Sequence, residues 1–362
     1  MSYAAETFFG VADITGAYFA GVDVIKGYQS GLVIIFLSGI VFLILSLTGL
    51  RKYIATAMPE CLKKAISGGI GLFIAFIGMQ NAGIIVNDNA TLVALGDITS
   101  GSALLAVIGL VITGVLYALN VRGAMLIGIL ATTLIGIPMG ITEFKGVVSM
   151  PESVEPIFCK FEWDKIFTLD MLVIVFTFLF IDMFDTVGTL IGVSTKAKMV
   201  DEKGNIPHLK QAFMADAIAT TAGAVLGTST TTTYVESASG VAQGGRTGLT
   251  AFTIAVCFAV ALFFSPLFLS VPGAATAPVL ILVGMLMMEP VRNIDFDDAT
   301  EAIPSFITLV MMPLTYSIAN GIGIGAIAYT LIAIFTGKYT KKDITVTIIA
   351  LLFIGKFIFG TL

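Results

Sequence analysis

The chain has 362 residues, of which 57% are hydrophobic and only 12% are charged, and its mean hydropathy is +1.00. A soluble domain carries about 25% charged residues, so the composition excludes an ordinary soluble domain and indicates a polytopic membrane protein. The formal net charge is −5, but the placement of the basic residues between apolar spans is more informative than the total.

Apolar windows of about 20 residues, the length that crosses a bilayer as a helix, repeat along the chain. Residues 1–29 contain no such run, and the first clear span is 31–50. The spans predicted after it are 65–86, 103–119, 123–141, 171–193, 211–227 and 247–270, then a short apolar run at 276–288, two short spans within 303–336 broken near Asn320, and a last segment at 344–362.

Basic loops orient this set of spans, because Lys and Arg concentrate on the cytoplasmic side of a membrane protein. Loop 51–64 and loop 194–210 hold four basic residues each, whereas loop 87–102 holds none and loop 142–165 is mainly acidic. We therefore predict that the first two loops are cytoplasmic and the last two external.

Two carboxylates interrupt the apolar span 171–193. Asp182 lies at its centre, and Asp185 follows three residues later on the same helix face. Ionisable residues at membrane depth are expensive and usually mark a pathway or a proton relay, although a single acid can also serve as a structural partner for a neighbouring helix. Two acids close enough to share a proton favour a proton-coupled step.

A hydroxyl-rich segment, GTSTTTTYVESASGVAQGGRTG, lies between two spans and contains Glu236. β-branched Thr residues favour extended backbone, and the small residues after Glu236 can continue as a half-helix whose free N–H groups face a ligand. The alternative is a Ser/Thr-rich helix that packs through small residues. Packing alone does not require an acid, so Glu236 favours a solute site inside a membrane transporter.

Other chemistry finds little support in the sequence. Cys61, Cys159 and Cys257 are isolated, and the single histidine, His208, falls in a polar loop. This spacing predicts neither a disulfide framework nor a metal site. We expect no cofactor and no nucleic-acid partner.

A faint internal repeat joins two distant segments. The run from Ile127 to Ile137, IGILATTLIGI, resembles the run from Ile324 to Ile334, IGAIAYTLIAI, without gaps. Internal repeats are how many secondary transporters are built.

Three segments carry a resemblance to a known family: FIDMFDTVGTLIGV, TSTTTTYVESASGVAQGGRTGLTA and IPSFITLVMMPLTYSIANGIGIG. They resemble the bacterial adenine/guanine/hypoxanthine permeases of the xanthine/uracil permease superfamily, from about Gly31 to the C-terminus. The resemblance implies an all-α polytopic membrane protein, an inverted seven-span repeat transporter with core and gate domains and short strands before its half-helices.

The same resemblance implies a division of the chain. Residues 1–362 would form a single transmembrane permease domain, with a core (transport) part at 1–50 and 171–271 and a gate part at 60–142 and 276–337. The family's first spans have no counterpart in the opening residues, so the repeat is expected to be N-terminally incomplete.

The function implied is secondary active transport of a purine nucleobase (hypoxanthine, guanine or adenine) across the cytoplasmic membrane, with the lipid bilayer and a proton as partners and a homodimer as a further expectation. The two acids on one helix face, Asp182 and Asp185, are the residues predicted to serve proton coupling. The implied substrate-binding residues are Asp185, Glu236, Thr231, Thr232, Thr233 and Ser237.

Several alternatives stay open at this stage. The same fold could carry xanthine, uracil or an inorganic anion, although an anion carrier would place a cation where Glu236 stands. An intramembrane aspartyl protease would need two acids from separate spans, and the sequence has no GxGD pattern. A transport-inactive permease fragment is the third alternative.

Overall fold

The computed structural model describes residues 24–51, 53, 58–99, 101–151, 153–163, 169–200, 206–234, 237–340 and 343–359. Thirteen helices and one β-hairpin are assigned within these ranges. In chain order they are α1 (Val24–Thr48), α2 (Glu60–Asn81), β1 (Ile85–Asp88), β2 (Leu92–Leu95), α3 (Gly101–Ala118), α4 (Ala124–Gly136), α5 (Leu169–Lys196), α6 (Leu209–Leu226), α7 (Ser237–Ala242), α8 (Gly248–Ala261), α9 (Ser265–Leu269), α10 (Gly273–Met287), α11 (Ala299–Leu314), α12 (Ile318–Phe335) and α13 (Ile344–Phe359).

The apolar windows form helices because a helix satisfies its own backbone hydrogen bonds, which a lipid environment cannot do. Among the described residues, five helices are long and apolar enough to cross a membrane. The predicted end of the second span, residue 86, is wrong by five residues. The helix stops at Asn81 because Gly83 takes a positive φ of 76° and turns the chain into β1.

The β-hairpin has no counterpart in the sequence predictions. β1 and β2 are antiparallel, with Ile85 opposite Leu95 and Asp88 opposite Leu92. The Asp88 carboxylate accepts the backbone N–H groups of Ala90 and Thr91 and so closes the turn. A short side chain that bonds its own backbone two residues on is typical of such turns.

The predicted break in the long span 303–336 is confirmed, although it lies at 315–317 and Asn320, where it was expected, is in the first turn of α12. α11 ends at Leu314, Tyr316 adopts a positive φ of 51°, and α12 begins at Ile318. The two helices form a hairpin whose far end is closed by the Lys338 ammonium, 2.7 Å from the Asp298 carboxylate. That hydrogen bond, together with the backbone N–H of Thr300, lowers the pKa of Asp298 to about 2.

The helix pairs α3–α4 and α11–α12 share a packing detail that agrees with the internal repeat. Gly128 of α4 faces Thr113 of α3 so closely that a Cβ could not be added, and Gly325 of α12 faces Thr308 of α11 in the same way. Gly128 and Gly325 are aligned in the repeat seen in the sequence. The repeat therefore corresponds to a repeated helix hairpin.

The helices pack in two groups. We call α1 and α6, which pack against each other, the first group and α2, α3, α4, α10, α11 and α12 the second group. α5 lies between them, since it packs against α1 on one side and against α2 and α12 on the other. The division into core and gate parts expected from the sequence stays a prediction.

The loops lie at the ends that their charges suggest. Lys210 Nζ donates to Leu47 O at 2.9 Å, so the end of α1, where the first basic loop begins, and the start of α6, where the second basic loop ends, lie at the same end. The acidic loop lies at the other end, where the Cys159 N–H bonds Val225 O at the C-terminus of α6. Which end faces the cytoplasm remains a prediction from the positive-inside rule.

α2 and α10 approach most closely at two glycines, and this contact generates a stability prediction. A Cβ on Gly71 would lie 2.5 Å from Gly284 O, so Gly71→Ala forces the helices apart. Overpacking of this kind typically costs about 1–3 kcal/mol. We expect a lower melting temperature for the purified variant in detergent. Gly114→Ala on α3 is the matched control, because a Cβ there meets no described atom within 4 Å and alanine favours helix; an equal loss in both variants would contradict the close-packing interpretation.

Candidate functional site

α5 carries both predicted acids into the region where the two helix groups meet. Asp182 is buried, with 9% of its surface exposed, and Asp185 is half-buried. The neighbouring Phe184, Thr186 and Val187 are fully buried. Both carboxylates thus lie inside the protein and not against the membrane exterior.

Asp185 contacts the N-terminus of α12. Its Oδ1 accepts the backbone N–H of Ala319 at 2.9 Å. The first N–H groups of a helix have no partner within the helix, and a negative charge is favourable at this end. The break between α11 and α12 therefore supplies the donor that the α5 carboxylate needs.

Two further polar side chains complete this helix terminus. Ser317 caps α12 by accepting the Asn320 N–H at 3.2 Å. The Asn320 side chain in turn accepts a hydrogen bond from Lys356 of α13. The Asn320 side chain thus joins α12 to α13.

The threonine-rich segment lies beside the acids. Residues 228–234 are non-helical and α7 begins at Ser237, which agrees with the predicted non-helical run followed by a short helix. No paired strand is assigned to 228–234, in contrast to the strand that the family resemblance suggested there. A hydroxyl contact, 3.1 Å between Thr186 Oγ1 and Thr232 Oγ1, joins the segment to α5.

The predicted substrate-binding residues are brought together only in part. Thr232 contacts α5, and the carbonyl of Thr231 accepts from Thr220 Oγ1 of α6 at 2.9 Å. Thr233 is half-buried and Ser237 is exposed at the start of α7, which packs between α5 and α10. Glu236 lies outside the described residues, so its predicted role is carried only by the sequence.

Sequence reasoning missed a buried ion pair next to Asp182. Arg51 Nη2 lies 2.9 Å from Asp216 Oδ2 of α6, and their side chains are 0% and 4% exposed. The guanidinium is stacked between the rings of Phe42 and Phe213, each 4.5 Å away. The sequence analysis treated Arg51 only as one of the basic residues that orient loop 51–64. The signal that Arg51 has a buried partner was an acid, Asp216, within the apolar span that forms α6.

The ion pair and the two α5 acids form one electrostatic group. The charges of Arg51, Asp216 and Asp185 all lie close enough to influence Asp182. Among the described residues, no group of three or more His, Cys, Asp or Glu side chains could hold a metal ion. What the arrangement offers chemically is a carboxylate that can exchange a proton beside hydroxyl and amide groups.

The chain matches proteins of known class along most of its length. A family model described as "Permease family" (Xan_ur_permease) matches residues 4–324. Adenine permease AdeP of Escherichia coli strain K12 is 42% identical over 332 residues, which cover 92% of this chain and 75% of that protein. Guanine/hypoxanthine permease PbuO of Bacillus subtilis strain 168 is 44% identical over 332 residues, which cover 90% of this chain and 77% of that protein.

A solved structure shows the same fold at low sequence identity. The transmembrane domain of a cyanobacterium bicarbonate transporter, BicA, superposes with a TM-score of 0.55 and 16% identity, covering 84% of this chain and 78% of that chain. The apolar helices and this likeness define a multi-pass membrane protein with a transporter fold, as predicted.

The family follows from the sequence matches. The chain belongs to the xanthine/uracil permease family, which confirms the resemblance seen in the three segments. Membership in this family points to a transporter and not to an intramembrane enzyme.

Proposed function

We propose that this protein carries a purine nucleobase across the cytoplasmic membrane together with a proton. Two relatives more than 40% identical over some 90% of the chain are named for adenine and for guanine/hypoxanthine transport. The observation that carries the coupling part is the bond from Asp185 of α5 to the N-terminus of α12, because it links the two helix groups through an ionisable side chain.

The proposed base site lies between α5, the threonine-rich segment and α7. A purine presents N–H donors and ring-nitrogen or carbonyl acceptors around its edge. Carboxylates accept N–H groups strongly, which suits Asp185 and Glu236, and hydroxyls can both donate and accept. The hydroxyls proposed to lie near the base are those of Thr231, Thr232, Thr233 and Ser237.

Proton coupling is proposed to act through Asp185, with Asp182 as its neighbour in the relay. An ionised carboxylate bonds a helix N-terminus more strongly than a neutral acid does. Protonation of Asp185 therefore weakens the 2.9 Å link to Ala319 N and loosens α5 from α12. A proton and a base that bind together then favour a different arrangement of the two groups.

The movement that follows is proposed to be a rigid-body rocking of the first helix group as core against the second as gate. In this proposal α5 moves with α1 of the first group, and it also contacts α2 and α12 of the second. A change in charge on α5 therefore acts at the contact between the two groups that are proposed to move.

Uptake measurements test the substrate class and the coupling ion. In cells lacking their own purine carriers, we expect this protein to take up labelled hypoxanthine, guanine or adenine, and a protonophore to abolish the accumulation. Empty-vector cells are the control. Uptake that requires sodium and ignores the pH gradient would refute the coupling, and uptake of uracil or xanthine in place of these bases would refute the substrate class.

Substitution of the two acids separates their roles. Glu236→Gln replaces an acceptor with a donor, and loss of one hydrogen bond to a charged group costs about 1.5–3 kcal/mol, hence roughly 10- to 150-fold in affinity. Asp185→Asn should weaken the pH dependence of binding as well as the affinity. Both are read from binding assays on purified protein at several pH values.

The control for these variants is Glu155→Gln, which changes an exposed loop acid in the same manner. It should bind as the parent does. A folded Glu236→Gln variant with parental affinity between pH 5 and pH 8 would contradict the site assignment.

A further inference from the structure

Lys356 is a cation in an otherwise apolar helix. α13 reads ITVTIIALLFIGKFIF, and Lys356 lies three residues before its end at Phe359. A lysine near a helix end ordinarily extends its ammonium to the membrane surface. Here the side chain is half-buried and its Nζ donates to Asn320 Oδ1 of α12 at 2.5 Å. The ammonium thus points into the protein, toward the helix terminus that binds Asp185.

Aromatic contacts hold α13 in this position. The rings of Phe353 and Phe184, the residue before Asp185, have centroids 4.8 Å apart. The Phe353 ring also occupies the space that a Cβ on Gly323 of α12 would need. α13 is therefore seated on both α5 and α12, on either side of the bond between them.

The contacts continue from Lys356 to Asp185 through one helical turn. Lys356 bonds the side chain of Asn320, and the next residue back, Ala319, gives its N–H to Asp185. Lys356 and Asp185 also lie close enough to attract each other electrostatically. The ammonium acts on the carboxylate both through space and through the turn that it holds.

We propose that Lys356 is a positioning residue for proton coupling: it anchors the first turn of α12 through Asn320 and supplies the counter-charge that keeps ionised Asp185 bound to that turn. When Asp185 takes up a proton, the attraction to Lys356 ends and α5 is released from α12. The inference rests on the proposed function, and it adds a cation from the last helix to that mechanism.

Other charges near the site set the background for its pH dependence. Among the described residues, the titratable groups that act on Asp185 or on its neighbour Asp182 are Lys356 of α13, Arg51 after α1 and Asp216 of α6. Arg51 and Asp216 are paired with each other and lie on the Asp182 side. Lys356 is the cation on the Asp185 side.

The test is the dependence of purine uptake on external pH in Lys356→Met, which removes both the charge and the hydrogen-bond donor. Loss of a nearby cation destabilises the ionised carboxylate, so Asp185 should keep its proton to higher pH. We expect the pH of half-maximal uptake to rise by about 1 unit. A pH curve identical to that of the parent would overturn the proposal.

Two matched variants separate this effect from a general loss of charge. Lys356→Arg keeps a cation that can donate to Asn320, and we expect it to restore the parental pH curve. Lys145→Met removes an exposed loop lysine far from the site and should leave the curve unchanged. A shift as large in Lys145→Met as in Lys356→Met would also overturn the proposal.

Hydrogen exchange tests the positioning claim without any substrate. The Ala319 N–H is held by Asp185, so Lys356→Met should raise the exchange rate in the segment 317–322 by about fivefold or more. If the parent protein takes up no purine, the proposed function fails while this measurement still decides the role of Lys356. Unchanged exchange of the segment 317–322 in Lys356→Met would overturn the proposed role of Lys356 even then.

A double variant without either charge keeps the proposal testable if Lys356→Met does not fold. The double variant Asp185→Asn/Lys356→Met removes both charges of the proposed pair together. Recovery of folded protein from the double variant supports a partnership between the two residues. If the double variant remains unfolded while Asp185→Asn alone folds, Lys356 serves packing and not Asp185, and the proposal is wrong.

Discussion

The structure depends on one constraint: a carboxylate placed inside a membrane protein must find donors there. Asp185 accepts a hydrogen bond from the N–H of Ala319. The same bond satisfies one of the N–H groups at the start of α12 that have no partner within the helix. This mutual requirement explains why α11 and α12 are two helices and not one. A continuous helix through Tyr316 would have left no free N–H at that depth.

A second consequence is that the contact between the two helix groups can respond to charge. Most of the surface that α5 presents to α2 and α12 is apolar and close-packed, with Val187 and Ile191 fully buried. Such packing holds helices together regardless of pH. The bond of Asp185 and the attraction of Lys356 are the ionisable parts of this contact, and the proposed coupling assigns its response to a proton to them.

Much of this arrangement was predictable from the sequence, since bilayer thickness fixes the length of each span and the polar Asn320 indicated a break a few residues from its actual place at 315–317. The run of threonines correctly indicated non-helical backbone before a short helix. The partner of Asp185 was not predictable, because it is a backbone N–H 134 residues away that leaves no pattern in the side chains. Arg51 was misleading for another reason: a basic residue that ends a span looks the same in sequence whether it faces water or, as here, is buried against Asp216.

The central claim, that Asp185 carries the coupled proton, is tested most directly by proton movement itself. Purified protein in vesicles with a pH-sensitive dye outside should show purine-dependent alkalinisation of the medium as base and proton enter together. We predict that Asp185→Asn still binds purine, with reduced affinity, but gives no alkalinisation even when purine saturates it. Purine-dependent proton entry in Asp185→Asn at the rate of the parent would contradict the claim.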